Sequence, residues 1–153
     1  GVVSGPREGM ERASAALKAA GAKRVLPLRV SAAFHSPAMR AVAPDLAKAL
    51  GGVPFRDPRV PVIANVDAEP KRDASEIPAL LERQVWSPVR WVAVTRRASR
   101  EGASAFLEFG AGSVLCGMIK RIVPDARTAN VSDPQSLEET LHSIREGAHR
   151  ESR

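Results

Sequence analysis

The sequence contains no tyrosine, and aromatic residues make up only 4% of its 153 residues. Proteins that bind single-stranded nucleic acid stack bases on aromatic side chains, so this scarcity argues against that class. The net charge is +6, but the lysines and arginines stand in scattered pairs and form no basic tract. We therefore expect no nucleic-acid partner. The charge suits an acidic protein, a phosphorylated small molecule or simply a solvated basic surface.

Cysteine and long apolar runs are also scarce. Cys116 is the only cysteine, which excludes an internal disulfide and is typical of a reducing compartment. No apolar run approaches the roughly 20 residues that a membrane helix needs, and no signal-peptide pattern is present. We therefore expect a cytoplasmic protein with no membrane partner. The three histidines and the cysteine lack the spacing of metal ligands, so we expect no metal site.

Short apolar strands alternate with amphipathic helices, a pattern that predicts an α/β fold. Helices are predicted over residues 7–20, 39–50, 75–85, 91–100 and 114–122, and from residue 132 onward. Strands are predicted over residues 2–4, 24–28, 62–64, 105–109 and 128–131. The sequence starts at Gly1 inside a predicted strand, which leads us to expect a piece of a longer protein. Residues 146–153 are polar, and we expect them to fray.

One irregular stretch carries a candidate catalytic residue. The hexapeptide AAFHSP at residues 32–37 follows a predicted strand and precedes a predicted helix. Loops at strand ends are where α/β proteins place catalytic groups, and a neutral imidazole transfers protons near pH 7. His35 is therefore a candidate general acid and base. The alternative is a histidine that caps the following helix or fills a gap.

A second feature is the predicted helix end at residues 83–88, where Ser87 and Pro88 interrupt the chain. A helix that is broken by proline leaves backbone carbonyls without intrahelical donors. The carbonyl of Gln84 is then able to accept a hydrogen bond from a histidine and fix its tautomer. The alternative is that Gln84 is only an exposed residue at a helix terminus.

The sequence shows no nucleophile for His35 to activate. It contains no G-x-S-x-G elbow, and Cys116 lies in a predicted apolar helix, where a thiol is usually part of the core. The turn GAGS at residues 110–113 lacks the spacing of phosphate-binding loops. An anion on the amides of this turn is one interpretation. We favour a close-packed turn in which only glycine fits.

Several segments, taken in order, resemble the malonyl-CoA:acyl-carrier-protein transacylase family. They are SGPRE at residues 4–8, LPL at 26–28, FHSP at 34–37, NVDA at 65–68, SPVRW at 87–91 and EFGAG at 108–112. The resemblance implies the C-terminal part of an α/β-hydrolase-like acyltransferase core at residues 30–145. The closing elements of a ferredoxin-like insert would precede it at residues 1–29, and the polar tail 146–153 would follow.

The resemblance also implies the chemistry. Such enzymes move a malonyl group from coenzyme A to acyl carrier protein through a serine ester, in fatty-acid or polyketide synthesis, with malonyl-CoA as a substrate and no cofactor. His35 matches the catalytic histidine, and Gln84 matches the position whose main-chain carbonyl orients it. Phe34 resembles the residue of malonyl-selecting members, because its ring crowds the space that a 2-methyl branch needs. Asn65 is a candidate substrate-binding residue.

Three parts of the family's site have no match in these residues: the serine elbow, the oxyanion-hole glutamine and the arginine that clamps the malonyl carboxylate. In the family they belong to the region before Gly1. We therefore expect an S-malonyltransferase chain that supplies the histidine half of the site. Its partners would be acyl carrier protein, a coenzyme A thioester and a missing N-terminal half. The alternatives are a catalytically inactive fragment and a binding module for acyl carrier protein.

Overall fold

The structure, a computed structural model, describes residues 1–28 and 30–151. Helices and strands alternate along these residues, which confirms the predicted α/β class. The helices are α1 Arg7–Ala19, α2 Ala43–Gly51, α3 Ile77–Trp86, α4 Trp91–Arg100, α5 Val114–Ile122 and α6 Pro134–Glu151. The strands are β1 Val62–Ile63, β2 Pro70–Lys71, β3 Ala105–Phe109 and β4 Arg127–Val131. Two 3-10 helices, Pro37–Val42 and Ala74–Glu76, precede α2 and α3.

The chain forms two compact units, Gly1–Trp91 and Val92–Arg153. In the first unit, α2 packs on α3, and the 3-10 helix Pro37–Val42 packs on both. Strands β1 and β2 form a short antiparallel pair with Val62 opposite Lys71. The guanidinium of Arg40 lies 4.6 Å from the centre of the Trp86 ring, which adds a cation–π contact between the 3-10 helix and α3. The first unit therefore holds the predicted histidine loop against the end of α3.

The second unit is built around a parallel strand pair. Strands β3 and β4 run in register from Ala105 opposite Arg127 to Phe109 opposite Val131. Parallel strands need a crossover connection, and α5 supplies it, packing on both strands, while α6 packs on β4. Cys116 is 7% exposed and its Sγ lies 3.4 Å from a β4 carbonyl, so the prediction of a core thiol is confirmed. Burial, the largest influence, raises the pKa of the Cys116 thiol.

Two predicted strands are wrong. Residues 2–4 and 24–28 have extended or irregular backbone, and neither pairs with another strand within the described residues. A strand is stabilised by a ladder of hydrogen bonds to a neighbour, and apolar alternation alone does not supply one. Their apolar side chains are accordingly exposed, Val2 by 78% and Leu26 by 65%.

Three helix boundaries differ from the predictions. The predicted helix over residues 39–50 is a 3-10 helix followed by α2, with Pro44 in the first turn of α2, where a missing N–H is tolerated. The helix predicted from residue 75 starts instead as the 3-10 helix Ala74–Glu76, which the Asp73 carboxylate caps at 2.7 Å from the Ser75 N–H, and α3 begins at Ile77. The backbone of α6 continues through the predicted fraying tail to Glu151, while residues 152 and 153 lie outside the described residues.

The other helices and strands lie where they were predicted, to within two residues at most ends. Helix α1 ends before Gly21, whose φ of 89° is in the left-handed region that glycine adopts at helix ends. Among the helices that the structure describes, none combines the length and the apolar character needed to cross a bilayer.

Candidate functional site

The backbone of the histidine loop is held in an unusual conformation. His35 has a φ of 60°, a left-handed value that costs a residue other than glycine about 1–3 kcal/mol. Two hydrogen bonds maintain it: the His35 N–H donates to the Val85 carbonyl at 3.0 Å, and the hydroxyl of Ser36 donates to the Ala33 carbonyl at 2.7 Å. Ser36 is only 4% exposed, so this second bond is protected from water. The loop is fixed in place to present the histidine side chain.

The ring of His35 is oriented by the second candidate residue, which lies 49 positions further along the chain. Its Nδ1 lies 2.9 Å from the main-chain oxygen of Gln84. Because a carbonyl oxygen only accepts hydrogen bonds, Nδ1 is the donor, and in the neutral ring the lone pair is then on Nε2. The residue is exposed, so Nε2 is open to a reacting group. This is the arrangement of a general base whose tautomer is set by a backbone carbonyl.

The carbonyl of Gln84 is available to the histidine ring because α3 ends at Trp86. In a continuing helix this oxygen would accept from the N–H of residue 88, but that residue is Pro88, which has none. Ser87 is extended, with φ −112° and ψ 149°, as residues before proline usually are. Its N–H lies 3.4 Å from the Gln84 oxygen, a long contact. One lone pair of the carbonyl therefore remains for the histidine ring.

Asn65, the candidate substrate-binding residue, lies beside Gln84. Its Nδ2 donates to the Gln84 Oε1 at 3.3 Å, and its own carbonyl accepts from the Arg90 N–H at 3.0 Å. The structure thus brings His35, Gln84 and Asn65 into one connected set of hydrogen bonds. A substrate contact by Asn65 stays a prediction.

The turn that carries Asn65 is stabilised by Asp67, for which no role was predicted. The Asp67 carboxylate accepts from the Glu69 N–H at 3.0 Å and lies 3.1 Å from the Lys71 ammonium and 3.9 Å from the Arg83 guanidinium. Burial alone raises the pKa of Asp67, but the Glu69 hydrogen bond and the Lys71 charge outweigh it and hold the pKa below its usual value. The i,i+4 spacing of Asp67 and Lys71 was the one sequence signal for this pair.

Phe34 precedes the histidine in the same loop. Phe34 leaves 46% of its surface exposed, so part of the residue is open to solvent or to a ligand. Its role in selecting the acyl group stays a prediction. Among the described residues, no group of three or more His, Cys, Asp or Glu side chains is placed to hold a metal ion.

Two of the amides at the start of α5, just after the glycine-rich turn, are already occupied. The two oxygens of Glu108 accept from the N–H groups of Leu115 and Cys116 at 3.1 and 2.9 Å. An anion is therefore not needed there, but the predicted close packing of the turn is wrong. Glycine is required by conformation rather than by close packing: Gly110 and Gly112 have φ values of 133° and 84°, and an added Cβ would meet nothing within 4 Å.

Replacing Glu108 with glutamine is expected to destabilise the second unit in a pH-dependent way. The Cys116 N–H, with that of Leu115, holds the pKa of Glu108 below its usual value of 4.5. A depressed pKa adds stability that is present above pH 4.5 and is lost as the pH falls through the folded-state pKa. Urea unfolding of both proteins as a function of pH should show a stability difference near neutrality that shrinks toward pH 3.

The matched control for this experiment is Glu138→Gln, which removes an exposed carboxylate on α6. The control should leave the pH dependence of unfolding unchanged. A Glu108→Gln protein as stable as the original at every pH would show that the carboxylate does not stabilise the start of α5.

Known proteins of similar sequence match this chain over only part of their own length. The malonyl CoA-acyl carrier protein transacylase of Bacillus subtilis is 38% identical over 145 residues, which are 95% of this chain and 46% of the relative. The transacylase of the same name from Salmonella typhimurium is 41% identical over 92% of this chain and 45% of its own. The chain therefore spans just under half the length of these curated relatives.

Solved structures give the same result. The acyl-carrier-protein S-malonyltransferase of Burkholderia pseudomallei matches 90% of this chain and 45% of its own, with a TM-score of 0.86 and 40% identity. A malonyl-transacylase solved in complex with a type II PKS acyl-carrier protein matches 91% of this chain, with a TM-score of 0.87 and 42% identity.

These matches confirm the resemblance to malonyl-CoA:acyl-carrier-protein transacylases that the sequence motifs indicated. The family described as the acyl transferase domain matches residues 2–140, which include the histidine loop, the end of α3 and the turn of Asn65. The chain belongs to the acyl transferase domain family.

Proposed function

We propose that this chain is the histidine-bearing C-terminal part of a malonyl-CoA:acyl-carrier-protein transacylase. The observation that carries the proposal is the 2.9 Å contact between the His35 Nδ1 and the Gln84 carbonyl, which leaves Nε2 ready to accept a proton. Because the 153 residues contain no G-x-S-x-G elbow, the serine nucleophile would come from a segment outside them.

In the first half-reaction, Nε2 of His35 takes the proton of the serine hydroxyl while the serine oxygen attacks the malonyl thioester carbonyl. The C–S bond then breaks, and the protonated ring returns its proton to the thiolate of coenzyme A. In the second half-reaction, the thiol of acyl carrier protein gives its proton to Nε2, and its sulfur attacks the serine ester. The C–O bond breaks and the serine oxygen regains the proton.

Gln84 would serve this cycle through its main chain. Nδ1 keeps its proton in both the neutral and the charged ring, so its hydrogen bond to the carbonyl persists through every step. The ring then needs no reorientation between accepting and returning a proton. A carboxylate as the third member of a catalytic triad is therefore unnecessary for holding the tautomer.

Phe34 would contribute to acyl selection. Its partly exposed ring next to the histidine would crowd a 2-methyl branch on the acyl group. The exclusion of one methyl group is usually worth about 1–3 kcal/mol, so this residue would favour malonyl without excluding branched groups completely. Asn65 remains a candidate for contacting the substrate.

Acyl carrier protein and the rest of the enzyme are the proposed partners. The net charge of +6 suits an acidic carrier domain, and one structural relative was solved with an acyl-carrier protein bound. We assign residues 30–145 to an α/β-hydrolase-like core and residues 1–29 to a ferredoxin-like insert. The exposed apolar side chains of Val2, Leu26 and Leu28 fit surfaces that a further segment would cover.

The test is reconstitution. The chain is mixed with, or fused to, an N-terminal half that carries the serine elbow, and malonyl transfer from coenzyme A to acyl carrier protein is measured. We expect transfer by the fused or mixed protein and none by the chain alone. Absence of transfer from both completed forms would favour the inactive fragment. Salt-sensitive binding of acyl carrier protein without transfer would favour the binding module.

A further inference from the structure

We infer that Asn65 is a positioning residue that keeps the Gln84 carbonyl directed at the ring of His35. This inference rests on the proposed function, because it concerns the histidine that the proposed reaction uses. In this role Asn65 acts through Gln84 and not on the reacting atoms, and the KM of its variant separates this role from the substrate contact proposed above.

Asn65 holds the chain on both sides of the break that ends α3. Before the break, its side-chain amide donates to the Gln84 Oε1 at 3.3 Å. After the break, its main-chain carbonyl accepts from the Arg90 N–H at 3.0 Å. The five residues between the two contacts, Ser87 and Pro88 among them, are therefore anchored at each end to the same residue.

The second contact also gives the Arg90 N–H an acceptor outside α3. In a continuing α-helix the Arg90 N–H would bond the carbonyl of Trp86, four residues earlier. The carbonyl of Asn65 accepts from that N–H instead, while the missing N–H of Pro88 leaves the Gln84 carbonyl without its α-helical donor. The helix therefore does not continue past its last turn. The carbonyls of Gln84 and Val85 in that turn accept hydrogen bonds from His35.

The amide contact restrains Gln84 itself, in addition to the contacts that hold Val85 and Trp86 at the end of α3. The last turn of a helix frays easily because its carbonyls lack intrahelical donors. Within residues 1–28 and 30–151, the Gln84 carbonyl receives only the long Ser87 contact besides the histidine ring. The side-chain bond from Asn65 to the same residue restricts its rotation. Both side chains are half-buried, which shields this bond from competing water.

Asn65 is itself held rigidly enough to act in this way. Its turn is closed by the Ala68 N–H donating to the Ala64 carbonyl at 2.9 Å, with Ala68 at a φ of 62°. The Arg90 guanidinium donates to the Asp67 carbonyl at 3.2 Å, so the same arginine contacts the turn twice. The turn therefore provides a fixed base from which the amide of Asn65 reaches Gln84.

The test is Asn65→Ala, read first on the histidine ring itself. With ring 15N labelling, and with the His35 signals assigned by loss in His35→Gln, the original protein should show a protonated Nδ1 and an unprotonated Nε2 in the neutral ring. In Asn65→Ala the Nδ1–H tautomer should lose population. In the reconstituted enzyme kcat should fall about three- to tenfold with KM nearly unchanged. The Arg90 contact uses the main chain and survives the substitution.

A second variant and a matched control separate positioning from general destabilisation. Gln84→Met breaks the same bond from the other side and should shift the tautomer equally, and the double variant should be no worse than either single one. Asn130→Ala is the control: it removes a half-buried amide that donates to the Glu108 and Gly110 carbonyls in the other unit. It should lower stability and leave the His35 tautomer unchanged.

The outcomes distinguish the inference from the proposed function. An unchanged His35 tautomer in folded Asn65→Ala and Gln84→Met overturns the positioning role, whether or not malonyl is transferred. Equal tautomer shifts in Asn130→Ala overturn it as well. A reconstituted enzyme that transfers no malonyl overturns the proposed function, and the ring spectra do not depend on that assay.

Discussion

Replacing His35 with glutamine should lower malonyl transfer by the reconstituted enzyme about 10²- to 10⁴-fold. Glutamine retains an amide near the Gln84 carbonyl, so the loop keeps a donor there, but it has no group that accepts and returns a proton near neutral pH. Both half-reactions pass a proton through Nε2, so formation and consumption of the malonyl-serine ester should slow together. The measurements are kcat/KM for carrier malonylation and the rate of coenzyme A release in a single turnover.

His142→Gln on α6 is the matched control for this substitution, since it changes a histidine of the second unit in the same way. It should leave kcat/KM within about twofold of the original, as surface changes away from special features usually do. Should His35→Gln retain transfer within a factor of about ten of the original, another group would have to be the base, and the histidine would be a structural cap.

The elements of this fold that could be predicted are those encoded by local spacing. Helices α1, α4 and α5 follow apolar positions three and four residues apart, and β3 is bounded by clear turn residues. The strands predicted over residues 2–4 and 24–28 have equally good apolar patterns but no partner within the described residues. Pairing is a property of the fold, so local alternation does not decide it.

The site could be predicted in its parts but not in its connections. His35 is conspicuous because of its loop, and Pro88 marks the end of α3 from the sequence alone. That the ring of His35 meets the Gln84 carbonyl across 49 positions came only from family resemblance. The bond from Asn65 to Gln84 and the support from Asp67 were missed, because no local pattern indicates which side chains meet across a fold.

Proline at position 88 has a particular consequence for the histidine. The only residue whose N–H could complete the α-helical bond to the Gln84 oxygen is residue 88. Any other amino acid there would supply that N–H and would also relax the extended preference of Ser87. The helix end would then gain an internal hydrogen bond to the same oxygen that accepts from His35, and this bond would draw the carbonyl toward the helix axis. Stability of the chain and orientation of the ring are therefore opposed at this position.

Pro88→Ala should consequently lower kcat of the reconstituted enzyme about 10- to 100-fold, because a misdirected catalytic group is costly even when it is present. The stability of the protein should hold or rise, and the Nδ1–H tautomer of His35 should lose population in ring 15N spectra. Pro78→Ala is the matched control, since Pro78 lies in the first turn of the same helix, where its missing N–H has no intrahelical acceptor. The control should change kcat less than twofold. If Pro88→Ala keeps both the tautomer and kcat, the carbonyl of Gln84 must be held free by the fold around it, with Asn65 rather than the missing donor deciding its direction.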